Sequence, residues 1–348
     1  MNNFSFKIVK WYDQNRRDFP WRKTKNPYHI WLSEIILQQT KTEQGLSYYK
    51  KFVANYPTIN DLANAQEQEI LKLWQGLGYY SRARNLHQTA KHIVFDLNGK
   101  FPDNYKDLLQ LKGVGDYTAS AIASICFNQK EAVLDGNVFR VLARYFGIET
   151  DISSGNGKKE FKNLALKLLP EQRFTDYNQA IMDFGATQCT PKKTNCTACI
   201  LKDSCYAFLS RQVEKFPVKK KKNPIKKRYF NYLVILDANN KTIFKKRTKK
   251  DIWQNLYEFP LIETDKKINL KTLKNKLIEL DILDSNQFTV TIHNKSEIIH
   301  KLSHQHIYTT FWIVKTNNIL KNGYSFNAVK TFPTAILIHN FIESFTNS

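Results

Sequence analysis

The sequence predicts a chain in two structural parts, a mostly α-helical region through about residue 206 and an α+β domain after residue 229. Three observations carry that prediction. Apolar residues recur at helical spacing in a series of segments between residues 29 and 185. The period then shifts to that of strands in YFNYLVILDA (229 to 238) and TTFWIVKT (309 to 316). Between them lies EKFPVKKKKNPIKKR (214 to 228), whose prolines and lysines resist packing and mark a linker, either a solvated tether or one that touches phosphates.

Helices are expected over residues 29–39, 61–74, 81–96, 103–109, 116–127, 137–146, 158–169 and 176–185, separated by Pro, Gly or Asn. In LKGVGDYTAS (111 to 120), Leu108, Leu109 and Leu111 close one helix and Thr118 through Ile125 begin the next, so Gly113-Val114-Gly115 is a hairpin between helices. Glycine admits positive φ and close backbone approach, and the amides opening the second helix point towards any anion. The turn therefore serves either as a bare connection or as a cradle for a DNA phosphate. After the linker, YFNYLVILDA and KTIFKKRT (241 to 248) read as two strands joined through Asn239 and Asn240. The helix-like NLKTLKNKLIEL (269 to 280), the strand TTFWIVKT and the helical TAILIHNFIESF (334 to 345) follow.

The 348 residues include 53 Lys and Arg against 31 Asp and Glu, a formal charge of +22 that favours a polyanionic partner. The opening MNNFSFKIVKWYDQNRR lacks the apolar stretch of a signal peptide, and nothing later approaches the roughly 18 apolar residues of a membrane span. A soluble, unexported chain is expected. Cys189, Cys196, Cys199 and Cys205 fall within 17 residues, with gaps of six, two and five. In a reducing compartment such a cluster points to ligation rather than disulfides. Zinc and a [4Fe–4S] cluster both accept four thiolates, and the spacing alone leaves both open. Cys126 stands apart on an apolar helix, as core filler.

These stretches together resemble a known family. LKGVGDYTASAIAS resembles the helix-hairpin-helix of DNA base-excision glycosylases, LDGNVFRVLAR (134 to 144) resembles their catalytic-aspartate segment, and the cysteine spacing is similar to the [4Fe–4S] loop of the endonuclease III-like group. Within that group, FPWR, WLSEIILQQT and GLGYYSRARNLH are similar to the adenine DNA glycosylases, which remove adenine mispaired with 8-oxoguanine. The resemblance is dense to residue 205 and thin after 229. It implies a helix-hairpin-helix catalytic region over 1–213 with a [4Fe–4S] loop at 189–205 held by the four cysteines, a basic linker at 214–228, and a Nudix-like 8-oxoguanine recognition domain over 229–348. It further implies a monomer that works in the cytoplasm on the nucleoid, bound to no membrane, with double-stranded DNA carrying adenine opposite 8-oxoguanine or guanine as its partner.

The chemistry asks for two carboxyls in contrasting settings, because adenine is a poor leaving anion and needs a proton, while the sugar left behind is cationic. Glu34 has Ile30, Trp31 and Leu37 at helical distances, so a raised pKa and a general-acid role are expected; the alternative is an edge residue reaching solvent. Asp135 precedes a helix beginning near Val138, where backbone amides favour the ionised form, so it suits the charge-stabilising role and also a plain N-cap. The resemblance implies that Asp135 stabilises the cation or briefly attacks it, with Asn137 orienting it. Tyr117 stands where strand-cleaving relatives carry a Schiff-base lysine, which implies a monofunctional enzyme. Lys112 precedes the hairpin and is expected to meet a phosphate.

Extruding a base leaves a gap that a wedge must fill. The resemblance implies that Gln39 and Tyr79 are the wedges, with Arg82 and Arg84 supplying phosphate contacts, and that Arg22, Thr40, Ser303 and His304 recognise 8-oxoguanine. The family's Phe-Ser-His reading loop appears here as Leu302-Ser303-His304, and DIWQNLYEFP (251 to 260) replaces a loop that is usually richer in glycine. The helix NLKTLKNKLIEL offers only Glu279 where Nudix hydrolases need several glutamates for metal ions, so hydrolysis of that kind is not expected. Two rival readings are a thymine-mismatch or oxidised-pyrimidine glycosylase of the same fold, and a non-catalytic helix-hairpin-helix DNA-binding protein.

Overall fold

The computed structural model describes residues 3–220, 224–279 and 288–347. The chain divides into two compact units, Met1–Asn64 with Asn85–Lys221, and Ala65–Arg84 with Lys222–Ser348. Residues 65–84, which the sequence places in the helical region, thus pack with the C-terminal part. No helix among the described residues is long and apolar enough to cross a membrane.

The first unit is helical. Pro27–Leu37, Asp116–Phe127, Gly136–Phe146, Gly155–Leu168 and Phe174–Thr187 form close to where apolar spacing puts them. Two further helices, Asn3–Asn15 and Thr42–Asn55, are amphipathic with charged surroundings. Asn3–Asn15 buries Phe4, Ile8, Val9 and Tyr12 in one core with Val141, Leu142, Phe161 and Phe184. Side chains three or four apart share a helix face, which is why these four reach the same core.

Several expected boundaries move for local reasons. The stretch 61–74 splits into Ile59–Asn64 and Glu67–Leu73, the second restarted by a reciprocal cap between Gln66 and Glu69. The stretch 81–96 is α-helical only over Ser81–Lys91 and closes on a wider π-turn, His92–Asp96. The helix before the hairpin shrinks to Tyr105–Leu108, started by Asn104, whose side chain accepts from the Asp107 N–H. The linker is also shorter than 214–228. Phe216 is buried in the first unit's core, and the Arg144 guanidinium donates to the Val213 and Phe216 carbonyls at 3.1 and 3.3 Å. Lys226 to Arg228 already belong to a strand. One aromatic and one arginine with partners are enough to pin the two ends of a lysine run.

The second unit holds seven strands among the described residues: β1 Lys226–Leu236, β2 Lys245–Lys246, β3 Tyr257–Glu258, β4 Leu261–Thr264, β5 Phe288–Ile292, β6 Ile298–Lys301 and β7 Gln305–Thr316. The main sheet runs β4-β1-β7-β5, with β6 also on β7, and β1 and β7 are parallel in a register from Lys226 opposite Gln305 to Leu236 opposite Lys315. The hairpin expected between 229–238 and 241–248 is therefore only a turn. Asp237 caps it by accepting from the Asn239 and Lys241 N–H groups, a single bridge joins Leu236 to Thr242, and β2 pairs with β3 instead. The reason lies in β1 itself, where Phe230 through Leu236 are all buried. A strand covered on both faces takes a central place, here between β4 and the long β7. The helix Leu270–Glu279 packs Leu273 and Leu277 against Leu233, Val290 and Trp312, and Ile336–Thr346 stacks Phe341 on Phe311 with ring centroids 4.1 Å apart.

Buried Asn231 ties this sheet together. It donates to the Ile262 carbonyl at 3.2 Å and accepts from the Trp312 indole N–H at 3.1 Å. Asn231→Leu leaves that indole donor without its acceptor, so the C-terminal unit should lose on the order of 1 to 3 kcal/mol in urea unfolding followed by tryptophan fluorescence.

Candidate active site

The helix Pro27–Leu37 starts at Asn26, whose side chain accepts from the Tyr28 N–H at 2.9 Å, and it is apolar on nearly every side. Glu34 is one of its buried residues, only 8 % exposed, which rules out the edge position. Its carboxyl lines a cavity of about 180 Å³ with Arg22, Thr40, Tyr117, Asp135 and Asn137. Six residues chosen from four separate stretches of sequence thus share one wall.

Their electrostatics differ. Burial pushes the Glu34 carboxyl up to about 7, against a hydrogen bond from Tyr117 that favours the anion, and the nearby Asp135 charge adds to the rise. The Tyr117 phenol is itself driven well above its ordinary value by burial and by these two acids, so it keeps its proton. Its O–H lies between the Glu34 carboxylate and the Met182 Sδ, 3.4 Å away, and the carboxylate is the stronger acceptor. Asp135 caps the helix Gly136–Phe146. Its Oδ1 accepts from the Asn137 and Val138 N–H groups, both at 2.8 Å, and its Oδ2 from Asn137 Nδ2 at 2.7 Å. Burial raises this carboxyl too, but the three donors oppose the rise and are aimed at the ionised form.

Asn137 is fixed in turn. Its Oδ1 accepts from Arg140 Nη2 at 2.8 Å, and the same guanidinium donates to the carbonyls of Gly185 and Cys189. Gly185 is needed there, since a Cβ at that position would stand 2.7 Å from the Asn137 Cβ.

Arg22 does not stand free to read a base elsewhere. Its Nη1 and Nη2 donate to the two Asp183 oxygens at 2.6 and 2.8 Å, and Arg17 Nε adds a third bond at 2.8 Å. Asp183 is fully buried; burial pushes its carboxyl up, but the two guanidiniums more than offset that and hold it below its ordinary value. Arg17 and Asp183 escaped the sequence reading. The available signal was an acid inside the apolar run AIMDFGA, flanked at helical distances by Ala180 and Ala186.

The other expected residues fall elsewhere. In the hairpin, Gly113 has φ +80° and a Cβ there would meet the Asn85 Cβ at 2.9 Å, so glycine is required. Gly115 faces open space, and exposed Lys112 donates to Gln88. Val114 is buried, and its N–H donates to the Leu111 carbonyl at 3.1 Å. Gln39 and Tyr79 both hold positive φ, +55° and +45°, and Tyr79 is 43 % exposed. Arg82, expected at a phosphate, is buried, donates to the Leu77 and Gly78 carbonyls at 3.1 and 3.2 Å, and lies over the Trp74 ring. Burial lowers its pKa to about 10. Ser303 and His304 are exposed on the turn between β6 and β7, in the second unit, with Ser303 Oγ 3.3 Å from His304 Nδ1. The side chain of Glu279 lies outside the described residues.

The four clustered cysteines line one small apolar pocket of about 30 Å³ together with Arg144 and Phe208. Arg144 Nη1 donates to Cys189 Sγ at 3.4 Å. Among the described residues no three His, Cys, Asp or Glu side chains converge as donors to a single metal ion.

Comparison with known proteins places this geometry. Residues 32–171 match the HhH-GPD superfamily base excision DNA repair protein model, and residues 231–343 match the NUDIX domain model. The adenine DNA glycosylase of Buchnera aphidicola subsp. Acyrthosiphon pisum is 37 % identical over 302 residues, covering 86 % of this chain and 83 % of that one. The chain belongs to the adenine DNA glycosylase family. As a member it is a hydrolytic enzyme of base excision repair. The family's adenine DNA glycosylase from Arabidopsis thaliana is 34 % identical, covering 84 % of this chain and 52 % of that one. Among solved structures, a thermostable thymine-DNA glycosylase is 34 % identical with a TM-score of 0.54, over 60 % of this chain and 95 % of that one. A non-covalent endonuclease III–DNA complex shares the fold at 20 % identity and a TM-score of 0.53, over 60 % of this chain and 94 % of that one.

The raised Glu34 carboxyl carries a stability cost with a defined sign. A group whose folded pKa lies above its unfolded one contributes stability fully below the unfolded value, here 4.5, and loses it as pH rises through about 7. Glu34→Gln should therefore unfold at higher urea than the unmodified protein at pH 8, by up to about 3 kcal/mol. The gap should close near pH 4.5; an equal midpoint at both pH values would show that Glu34 is not buried as an acid.

Proposed function

We propose that this glycosylase removes adenine paired with 8-oxoguanine or guanine in duplex DNA, with Glu34 as general acid and Asp135 as the charge that stabilises the sugar. The observation that carries the reading is the pairing in one cavity of a carboxyl raised to about 7 with a second that meets three N–H donors. Near pH 7 Glu34 is poised to hand its proton to a ring nitrogen of the base. The glycosidic bond then breaks with its electron pair leaving on neutral adenine. Positive charge develops on the sugar beside Asp135, which stabilises it by field or by a transient bond until water adds. Asn137 and Arg140 keep the Asp135 carboxylate aimed. Tyr117 has no amine, so no Schiff base forms and the backbone is left intact.

DNA engagement is assigned to Lys112 and the exposed hairpin backbone at Gly113 and Gly115, the region where phosphate recognition asks for bare glycine. Gln39 and Tyr79 are the wedges. Both hold positive φ, a conformation uncommon for non-glycine residues, and Tyr79 is exposed. Ser303 and His304 read 8-oxoguanine from an exposed turn, with Thr40 beside Gln39 in sequence, while Arg22 is reassigned to the wall of the acid's cavity. The protein acts as a monomer, with catalysis in residues 1–213 and lesion reading in 229–348.

Four thiols around one pocket suit a [4Fe–4S] cluster, whose four irons each take one cysteine. Cys189, Cys196, Cys199 and Cys205 would hold it, and it would order the loop that Arg140 and Arg144 grip. The thymine-mismatch reading is favoured by one solved structure, but that likeness covers 60 % of the chain against 86 % for an adenine-specific relative.

The deciding assay is base release from duplexes with A opposite 8-oxoguanine, A opposite G and T opposite G, with and without hot alkali. Adenine alone should be released, and strands should break only after alkali. Glu34→Gln should retain DNA binding and lose roughly 10² to 10⁴ in single-turnover rate. Because the protonated acid is the active form, the unmodified rate should fall about ten-fold per pH unit above about 7; a flat profile would remove Glu34 from the proton transfer.

Metal content gives a second test. Anaerobically purified protein should be brown with about four irons per chain. Chelation should weaken DNA binding while leaving the helical circular dichroism largely unchanged. Stoichiometric zinc instead of iron would overturn the assignment.

A further inference from the structure

We infer that the loop Asp251-Ile252-Trp253-Gln254-Asn255 couples lesion reading to base extrusion, with Trp253 as the positioning residue that links the reading turn to the wedge Tyr79. The inference rests on the roles proposed for Ser303, His304 and Tyr79 and adds how they are joined.

Tyr79 belongs to the segment 65–84, which packs in the same unit as the β6–β7 turn. That segment is clasped by the C-terminal chain. Lys72 Nζ donates to the Lys330 and Phe332 carbonyls at 2.6 and 3.1 Å, and the Tyr80 hydroxyl, one residue from the wedge, donates to the Thr334 carbonyl at 3.0 Å. Glu34 and Asp135 lie in the other unit. Of the two wedges, Tyr79 thus shares a unit with the reading turn, and Gln39 shares one with Glu34 and Asp135.

The loop 251–255 makes the connection. The Trp253 ring meets His300 edge-on at 5.6 Å, and His300 lies on β6 immediately before the turn that presents Ser303 and His304. Next to it, the Gln254 carbonyl accepts from Arg84 Nη1 at 2.8 Å, and Asn255 Nδ2 donates to Glu67 Oε1 at 2.7 Å. Arg84 and Glu67 both lie on the wedge segment. One short loop therefore touches the reading strand at its tryptophan and the wedge segment at its next two residues.

A coupling element must be stiff. Trp253 and Asn255 both hold left-handed backbone, φ +59° and +67°, which asparagine tolerates but a bulky tryptophan does not favour. Buried Arg247 holds them there. Its Nε donates to the Ile252 carbonyl at 2.9 Å, its carbonyl accepts from the Asn255 N–H at 2.7 Å, and its guanidinium pairs with Asp251 and Glu258. A glycine-rich loop would adopt such angles without strain but would have no side chain to meet β6. The Trp253 side chain supplies the contact with β6. Discrimination between 8-oxoguanine and guanine is then expressed when the base is extruded, and not in binding alone.

The test uses full-length protein and duplexes in which 2-aminopurine, fluorescent when unstacked, replaces adenine opposite 8-oxoguanine or guanine. The ratio of extrusion rates from the two duplexes is the readout, which loss of bulk stability alone would not change. Trp253→Leu should reduce the ratio by on the order of ten-fold, as far as Ser303→Ala does. The two together should reduce it no further, as expected for residues acting as a unit. Trp253→Phe, which keeps a ring against His300, should retain most of the ratio. A wild-type ratio in Trp253→Leu, or losses that multiply in the double variant, would overturn the coupling. Where Trp253→Leu does not fold, Arg84→Met breaks the other end of the loop and is held to the same two outcomes. Failure of the enzymatic reading shows separately, as no adenine release from either mispair by the unmodified protein.

Discussion

A carboxylic acid kept out of water is the constraint on which the active site depends. Glu34 owes its raised pKa to seven buried neighbours on one short helix, and that helix is held in place by the packing of Trp31, Leu32 and Ile36. Burying a charge is costly unless it is paired or neutralised. The protein meets that cost differently at each of three nearby acids. Asp183 is paired with two arginines, Asp135 is given three N–H donors, and Glu34 is left to keep its proton. One cavity wall thereby carries an anion-stabilised position and a proton donor side by side.

The arginines show how few interactions connect the site to the rest of the first unit. Arg140 reaches from Asn137 to the carbonyl of Cys189, and Arg144, one turn later on the same helix, grips Cys189, Thr190 and Val213. The helix Gly136–Phe146 therefore presents Asp135 at one end and holds the cysteine loop along its side. That loop connects to the Asp135 carboxylate through two hydrogen-bonded side chains, Arg140 and Asn137.

In the second unit, rigidity comes from a buried ionic network rather than from glycine. Arg228 and Arg247 are both nearly buried, and both pair with Asp251. Arginine's planar fork suits such shared carboxylates because it satisfies two acceptors without reorganising. This network stiffens the loop at 251–255 and ties it to β1 and β3. The segment carrying Tyr79 is thereby attached to a sheet far away in sequence.

The sequence by itself determined much of this protein. Helical apolar spacing located the helices that carry Glu34 and Tyr117 and the one that Asp135 caps, the four close-set cysteines marked a loop whose side chains line one pocket, and the change of period announced a sheet. These features are local: a helix face or a turn is encoded by residues within a few positions of one another. Asp135 as an N-cap and the glycine hairpin were legible for the same reason. What the tertiary structure alone decided are the pairings between distant residues. Nothing near Arg22 indicates that its guanidinium is taken by Asp183, 161 positions away. Arg82 looks like a phosphate contact beside exposed Tyr79 until its burial against Trp74 is seen. Strand β1 was paired with the wrong neighbour because a turn signal is local, whereas burial on both faces demands partners from far along the chain. The attachment of residues 65–84 to the C-terminal unit likewise follows from side chains meeting distant backbone carbonyls, and no local period in the sequence records such a contact.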